Sequence, residues 1–155
     1  MCSSDLGADA VQIFDSWAGG LPFREFLSWV VEPTKNIVAG VRQHVPDAKI
    51  IGFPRATTQA GYEAYARETG VDAVSIDAAQ SMSWARTAFG GKAALQGNLD
   101  PHVLIAGGEA LDAAVDNILN EARGVPFVFN LGHGVLPETP VENVARLVAQ
   151  VRGAK

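Results

Sequence analysis

The chain has 155 residues, of which 48% are hydrophobic and 19% charged, a composition typical of a globular protein rather than a disordered or fibrous one. Seventeen acidic residues outnumber twelve basic ones and give a net charge of −5. The sequence as a whole therefore lacks the basic footprint of a protein that binds nucleic acid or an anionic membrane. One cysteine, Cys2, excludes an internal disulfide and a cysteine-based zinc site.

No apolar run reaches the ~18 residues that cross a bilayer. Residues 1–6 also lack the basic stretch and apolar core of a signal peptide. Together with the single cysteine, these features predict a cytoplasmic protein. The segment MCSSDL at residues 1–6 resembles a translated sequencing adapter, so we expect a non-native leader there. A short natural tail is the alternative.

Short β-branched runs alternate with longer amphipathic stretches along the chain. The predicted strands cover residues 10–14, 48–53, 72–77, 93–96 and 126–131. The predicted helices cover residues 22–45, 57–69, 81–89 and 111–122, and a last one follows Thr139. We expect Pro33 to divide or kink the first helix.

This alternation, repeated about five times, implies a parallel sheet with helical crossovers. The sheet could be open and doubly wound, or it could be part of a (β/α)₈ barrel. A complete barrel typically needs ~250 residues, so a barrel fold here would be incomplete. We see no linker or internal repeat, which predicts a single domain over residues 7–155.

The last strand and the last helix give the sharpest local signals. Residues 126–131 are almost wholly apolar, which predicts a strand covered on both faces. The segment from Thr139 to Glu142 combines an N-cap, a proline at the first helical position and the glutamate of a capping box. The residues expected to place this helix against a core are Val141, Val144, Val148 and Val151.

Polar residues follow the predicted strands, where parallel α/β proteins bind their ligands. These strand-end residues are Asp15, Ser16, Trp17, Arg55, Asp77, residues 96–100 and residues 132–134. Each also has an ordinary interpretation. Ser16 and Asp77 could form turns, Asn98 could brace a turn, Asp100 could be an N-cap, and Arg55 could be a solvated cation, although an arginine there also suits carboxylate binding.

His133 is the strongest functional candidate because it lies between two glycines directly after an apolar strand. Glycines allow a ligand to approach the backbone closely. The residues around Ser16 do not form a G-x-S-x-G elbow, and residues 131–135, LGHGV, lack the third glycine of a dinucleotide motif. The three histidines show no helix-spaced pair, so we expect no metal site.

Three segments resemble the carboxy-terminal part of the uroporphyrinogen decarboxylase family. They are residues 11–19, VQIFDSWAG, residues 95–101, LQGNLDP, and residues 129–134, FNLGHG. They occur in the family's order and at its approximate spacing, and the resemblance extends from Gly7 to about Val151. It implies a (β/α)₈ barrel of which this chain supplies roughly the last five βα units.

The resemblance also implies an activity in porphyrin and haem biosynthesis. The family removes carbon dioxide from the four acetate side chains of uroporphyrinogen and gives coproporphyrinogen, without a cofactor or metal. Ser16 matches a serine that hydrogen-bonds the substrate, and His133 matches a histidine implicated in substrate binding and proton handling. Asp77 and Arg55 occupy further substrate-facing positions, but Ala78 replaces a usual tryptophan, and Arg55-Ala56 stands where the family more often has Lys-Gly.

The family's arginine-rich motif, pyrrole-binding aspartate and substrate-contacting tyrosine precede the region that this chain resembles. We therefore expect the chain alone to be inactive and its full-length parent to act on uroporphyrinogen. A homodimer is the expected partner arrangement of that full-length enzyme. Two alternatives stay open. One is a zinc-dependent methyltransferase of the same superfamily, acting on corrinoids or thiols, and the other is a non-catalytic binding domain.

Overall fold

The structure is a computed structural model and describes residues 7–153. The expected leader, residues 1–6, lies outside the described residues. The chain divides into two compact units, Met1–Ser75 and Ile76–Lys155. Each unit is an α/β arrangement in which parallel strands alternate with helices.

The strands of the first unit lie close to the positions predicted from the sequence. They are β1 (Ala10–Asp15), β2 (Lys49–Pro54) and β3 (Ala73–Ser75). β1 pairs in parallel with β2 along its whole length, and β2 pairs in parallel with β3. This register brings the last residues of β1 and β2, Asp15 and Pro54, side by side.

A continuous helical segment connects β1 to β2. It consists of α1 (Phe23–Phe26), a π-helical turn (Leu27–Val31) and α2 (Glu32–His44). Of the two expectations for Pro33, division of the segment is wrong, because the chain is helical on both sides of the proline, and a kink stays a prediction. The π turn lies just ahead of the proline, whose ring would clash with the carbonyl four residues earlier in a regular α-helix, and the wider turn lets the helix continue.

Helix α3 (Gln59–Thr69) follows β2, ends at the predicted residue and begins two residues later than predicted. The Thr58 side chain accepts a hydrogen bond from Gly61 N at the start, and Gly70 adopts the left-handed conformation at the end, with φ of 75°. Tyr65 of this helix is buried over Gly52 of β2, where a Cβ atom would lie 2.6 Å from the tyrosine hydroxyl. The glycine therefore makes room for the ring.

The second unit contains β4 (Ala94–Leu99) and β5 (Phe127–Leu131), paired in parallel with Leu99 opposite Leu131. β4 extends three residues beyond the predicted end. Two of these three residues, Gly97 and Asn98, are poor strand formers, yet the ladder to β5 holds them in the strand. A Cβ atom on Gly97 would lie 2.7 Å from the carbonyl oxygen of Ile76, so the backbones approach closely there.

Four helices accompany these strands: α4 (Met82–Phe89), α5 (Pro101–Ala106), α6 (Gly108–Glu121) and α7 (Val141–Gly153). A hydrophobic core forms where the helices after β4 and β5 pack on the two strands. Its buried members are Leu99, Leu104, Leu111, Val115, Ile118, Leu131 and Leu147. This core fixes the ends of β4 and β5, from which the candidate residues emerge.

The prediction that β5 is covered on both faces is wrong. Phe127 and Phe129 pack against the core, whereas Val128 on the opposite face is 48% exposed and Asn130 is also exposed. Side chains alternate between the faces of a strand, so an apolar sequence alone does not show that both faces are covered.

The predicted start of α7 is also partly wrong. The helix begins at Val141, and the Thr139 hydroxyl is buried without a hydrogen-bond partner, so the expected cap does not form. Instead, Pro140 O accepts hydrogen bonds from the amides of Asn143 and Val144. The valines also differ from expectation, because Val144 and Val151 pack on the core while Val141 and Val148 are exposed and Leu147 takes the buried position.

Candidate functional site

In the first unit, the segments after β1 and β2 are joined by backbone hydrogen bonds. Arg55 N donates to Asp15 O at 3.0 Å, and Gly19 N donates to Arg55 O at 3.0 Å. A Cβ atom on Gly19 would lie 2.6 Å from the carbonyl carbon of Ala56, so only glycine permits this approach. The structure therefore brings two predicted site residues, Ser16 and Arg55, onto one surface.

The Arg55 side chain lies directly beside Ser16. Its Nη1 donates to Ser16 O at 3.4 Å, while the Ser16 residue itself is exposed. Asp15 Oδ1 accepts a hydrogen bond from Trp17 N at 3.2 Å and so organises this turn. The surface thus offers a hydroxyl and a guanidinium, which are suitable donors for a carboxylate-rich ligand.

In the second unit, the structure gives Asp77 a role within its own turn. The residue is only 5% exposed, and Oδ1 accepts a hydrogen bond from Ala79 N at 2.8 Å. This agrees with the interpretation of Asp77 as a turn residue. A direct contact between Asp77 and a substrate stays a prediction.

His133 lies on an exposed loop after β5. Gly132 N donates to Leu99 O at 2.8 Å, which anchors the start of the loop to the end of β4. A Cβ atom on Gly132 would lie 2.8 Å from the Cα of Ala78, so this loop packs on the turn that contains Asp77. The second unit therefore brings Asp77 and His133 into one neighbourhood.

The hydrogen bonding of the His133 ring indicates how its nitrogens can act. Nδ1 accepts a hydrogen bond from Gly134 N at 2.5 Å. In a neutral imidazole with Nδ1 as acceptor, the proton is on Nε2. His133 can thus present an N–H donor to an anionic group.

Asp100, one of the strand-end residues noted in the sequence, forms a pair with His102 directly after β4, and this pairing was not predicted. Asp100 Oδ1 accepts hydrogen bonds from His102 N at 2.8 Å and from His102 Nδ1 at 2.9 Å. These two bonds hold the pKa of Asp100 below its usual value, and the bond from the His102 backbone has the larger effect. The N-cap interpretation of Asp100 is confirmed, and the spacing of Asp and His two residues apart could have revealed the pair.

A cavity of about 280 Å³ lies beside these strand ends in the second unit. Its polar lining includes Gln80, Ser81, Asn98, Asp100, Asn117 and Glu121. One of its carboxylates is engaged with the backbone, because Glu121 Oε2 accepts a hydrogen bond from Ser83 N at 3.0 Å. Within residues 7–153, no three or more histidine, cysteine, aspartate or glutamate residues come together as a set that could hold a metal ion.

A model of the family "Uroporphyrinogen decarboxylase (URO-D)" matches residues 3–154. The chain belongs to this family. It is 50% identical over 149 residues to a uroporphyrinogen decarboxylase of Rhizorhabdus wittichii, and 48% identical over 149 residues to one of Sphingopyxis alaskensis. Each match covers 96% of this chain and 43% of the relative. The chain thus spans less than half the length of these curated relatives.

A solved structure supports the fold. The chain resembles a methyltransferase from Methanosarcina mazei with a TM-score of 0.77 and 21% identity, over 97% of this chain and 43% of that protein. At this identity the likeness concerns the fold alone, and it confirms the predicted α/β class, part of a (β/α)₈ barrel. No helix in residues 7–153 combines the length and apolar character needed to span a bilayer.

Proposed function

We propose that this chain is the carboxy-terminal part of an enzyme that decarboxylates the acetate side chains of uroporphyrinogen to give coproporphyrinogen in haem biosynthesis. The observation that carries the proposal is 50% identity, over 96% of the chain, to a uroporphyrinogen decarboxylase. Because the match covers 43% of that relative, the rest of the active site would come from a part of the enzyme outside this chain.

The reaction needs an electron sink and a proton source. Protonation of a pyrrole ring carbon allows the ring to accept an electron pair. The bond between the acetate methylene and its carboxylate then breaks, its electron pair moves into the ring, and carbon dioxide leaves. A proton added to the methylene carbon gives the methyl group, and loss of the first proton restores the pyrrole. The substrate supplies the sink, so we expect no cofactor or metal, and the protein's tasks are positioning and proton transfer.

Ser16 and Arg55 would bind substrate carboxylates. The Ser16 hydroxyl is on an exposed turn, and the Arg55 guanidinium lies beside it. A charged hydrogen bond from a guanidinium to a carboxylate is roughly twice as strong as one between neutral groups. This pair would orient one acidic side chain of the tetrapyrrole.

His133 would act as a donor to the substrate and as the residue that handles a proton. The support is its exposure on a glycine-flanked loop and the acceptor role of its Nδ1, which leaves the proton on Nε2. Asp77, which is buried in the adjacent turn, would assist substrate binding from that side. The full-length enzyme would work in the cytoplasm, form a homodimer and bind neither nucleic acid nor membranes.

The test is the activity of a full-length enzyme that contains this chain. We expect it to convert uroporphyrinogen to coproporphyrinogen, resolved by chromatography, at the same rate before and after exhaustive chelation. Elemental analysis of the same preparation gives its zinc content. Stoichiometric zinc together with loss of activity on chelation would instead favour a zinc-dependent methyltransferase, whose thiol substrate needs the metal to lower its pKa.

A further inference from the structure

The buried side chain of Asn98 joins the end of β4 to the turn at residues 77–80. Its Nδ2 donates to Asp77 O at 3.1 Å and to Gln80 O at 2.7 Å. Asn98 is 8% exposed. One amide group therefore uses both of its N–H donors on the first and last carbonyls of a single turn.

Two further hydrogen bonds shape that turn. Asp77 Oδ1 accepts from Ala79 N, and Gln80 N donates to Asp77 O at 3.2 Å, so both bonds lie within the turn itself. The two bonds from Asn98 connect it to the strand. Without them, the carbonyls of Asp77 and Gln80 would each lose one donor, the first at a buried and the second at a part-buried position. That loss is costly unless the turn moves toward water.

The turn at residues 77–80 also limits where the loop that carries His133 can lie. Gly132 packs so closely on the turn that a Cβ atom would lie 2.8 Å from the Cα of Ala78. Gly132 N is also bound to Leu99 O, the residue that follows Asn98. The loop that carries His133 is thus held between the end of β4 and the turn.

We propose that Asn98 is a positioning residue, which places the His133 loop through the turn at residues 77–80. The proposal extends the function proposed above, because it assigns a supporting role for a histidine whose action on substrate is itself proposed. Asn98 acts through Ala78 and Gly132 in this arrangement rather than by contact with the reacting atoms.

The second unit contains a matched control. Asn143 Nδ2 also donates to two backbone carbonyls, Leu104 O at 2.9 Å and Ile105 O at 3.1 Å. Its partners are in α5 and do not belong to the turn at residues 77–80. Asn98→Ala and Asn143→Ala therefore remove the same kind of bonding, and only the first removes it from the support of His133.

The experiment uses a full-length enzyme that contains this chain and measures hydrogen–deuterium exchange in two peptides, residues 76–82 and residues 130–136. We expect Asn98→Ala to accelerate exchange in both peptides, and Asn143→Ala to leave both at the wild-type rate. Equal exchange in the 130–136 peptide for wild type and Asn98→Ala would overturn the proposal. If the alanine variant does not fold, Asn98→Ser is measured under the same criterion, and its shorter hydroxyl donor should give a smaller acceleration.

Kinetics with uroporphyrinogen form the second readout and test the proposed function separately. Displacement of a catalytic group by about 1 Å can cost up to about a hundredfold in rate. We expect Asn98→Ala to lower kcat by up to that amount with little change in KM, and Asn143→Ala to change neither. Faster exchange at residues 130–136 with unchanged kinetics would uphold the positioning role and contradict the proposed action of His133.

Discussion

The side chain of His133 is exposed on its loop, and the close packing of this loop on the turn involves the backbone of Gly132 and Ala78 rather than the ring. A change confined to the ring should therefore leave the fold intact. We expect His133→Asn to lower turnover of uroporphyrinogen by about 10²–10⁴-fold, the contribution typical of a general acid or base.

The matched control is His44→Asn. His44 is also exposed, and its ring forms a hydrogen bond with Gly40 O within α2. It therefore lies at the end of a helix and not in the candidate site. Steady-state kinetics of both variants in the full-length enzyme should show a loss for His133 alone. Wild-type kinetics for His133→Asn would remove this histidine from the mechanism.

Ser16 should contribute less than His133 because it offers a single hydroxyl. One hydrogen bond to a charged partner contributes about 1.5–3 kcal/mol, so Ser16→Ala should reduce kcat/KM by at most roughly a hundredfold. Ser28→Ala is the control, because Ser28 is an exposed serine whose hydroxyl bonds to Arg24 O within its own helix. An identical kcat/KM for both variants and the wild type would argue against substrate binding by Ser16.

We expect the buried hydroxyl of Tyr65 to make the free energy of unfolding depend on pH above about pH 10. Burial raises the pKa of its hydroxyl to about 12, against the lowering effect of a hydrogen bond with Thr34. Between pH 10 and 12 the unfolded state loses this proton while the folded state keeps it, so stability falls as the pH rises. The free energy of unfolding should fall by about 2–3 kcal/mol over this pH range.

Comparison with Tyr65→Phe isolates this contribution, because phenylalanine cannot ionise. Thermal unfolding of both enzymes from pH 8 to 12 should show a steeper decline for the wild type above pH 10. Parallel curves across this range would mean that Tyr65 ionises as easily in the folded protein as in the unfolded one.

Among the helices, α7 depends on side-chain bonds to its neighbours. Asn143 binds two carbonyls in α5, and Arg146 pairs with Asp112 of α6 through two hydrogen bonds. Asn143→Ala should cost about 1–3 kcal/mol in the local stability of α7, since two partly buried carbonyls lose their donor.

Hydrogen exchange of a peptide from α7 measures this cost. The expected loss corresponds to exchange that is about 5–150 times faster. Asn36→Ala serves as the control, because Asn36 is exposed on α2, and it should leave α7 unchanged. Equal protection of α7 in wild type and Asn143→Ala would show that core packing alone holds this helix.

The element positions were largely predictable because apolar periodicity records which faces are buried. The strand-end location of Ser16 and His133 followed from that periodicity and the glycine spacing. The failures have local causes. Gly97 and Asn98 have weak strand propensity, so the predicted β4 ended too early at residue 96. Thr139 matched a capping motif whose hydrogen bond is absent.

The hydrogen bonds that hold the candidate site in place could not be predicted from local sequence patterns. Asn98 binds carbonyls that lie 21 and 18 residues away in the chain. Backbone carbonyls occur at every residue, so no side-chain pattern marks those partners. Only the folded arrangement of β4 against the turn at residues 77–80 identifies them.

At the scale of the whole chain, both units expose large apolar side chains. Trp17 is 84% exposed, Trp29 72% and Phe14 67% in the first unit, and Val128 is 48% exposed in the second. Several belong to strands or to segments next to them. Exposed apolar surface and open strand edges promote self-association.

We therefore expect the 155-residue chain, expressed by itself, to aggregate or to form a loosely packed state that binds a hydrophobic dye such as ANS. The full-length enzyme, in which further chain is available to cover these side chains, should not bind the dye. Sedimentation velocity and near-ultraviolet circular dichroism distinguish the outcomes, because loose packing preserves secondary structure but loses the aromatic signal. A monomer that unfolds cooperatively would show instead that these exposed side chains are tolerated in water and that the described units are stable without further chain.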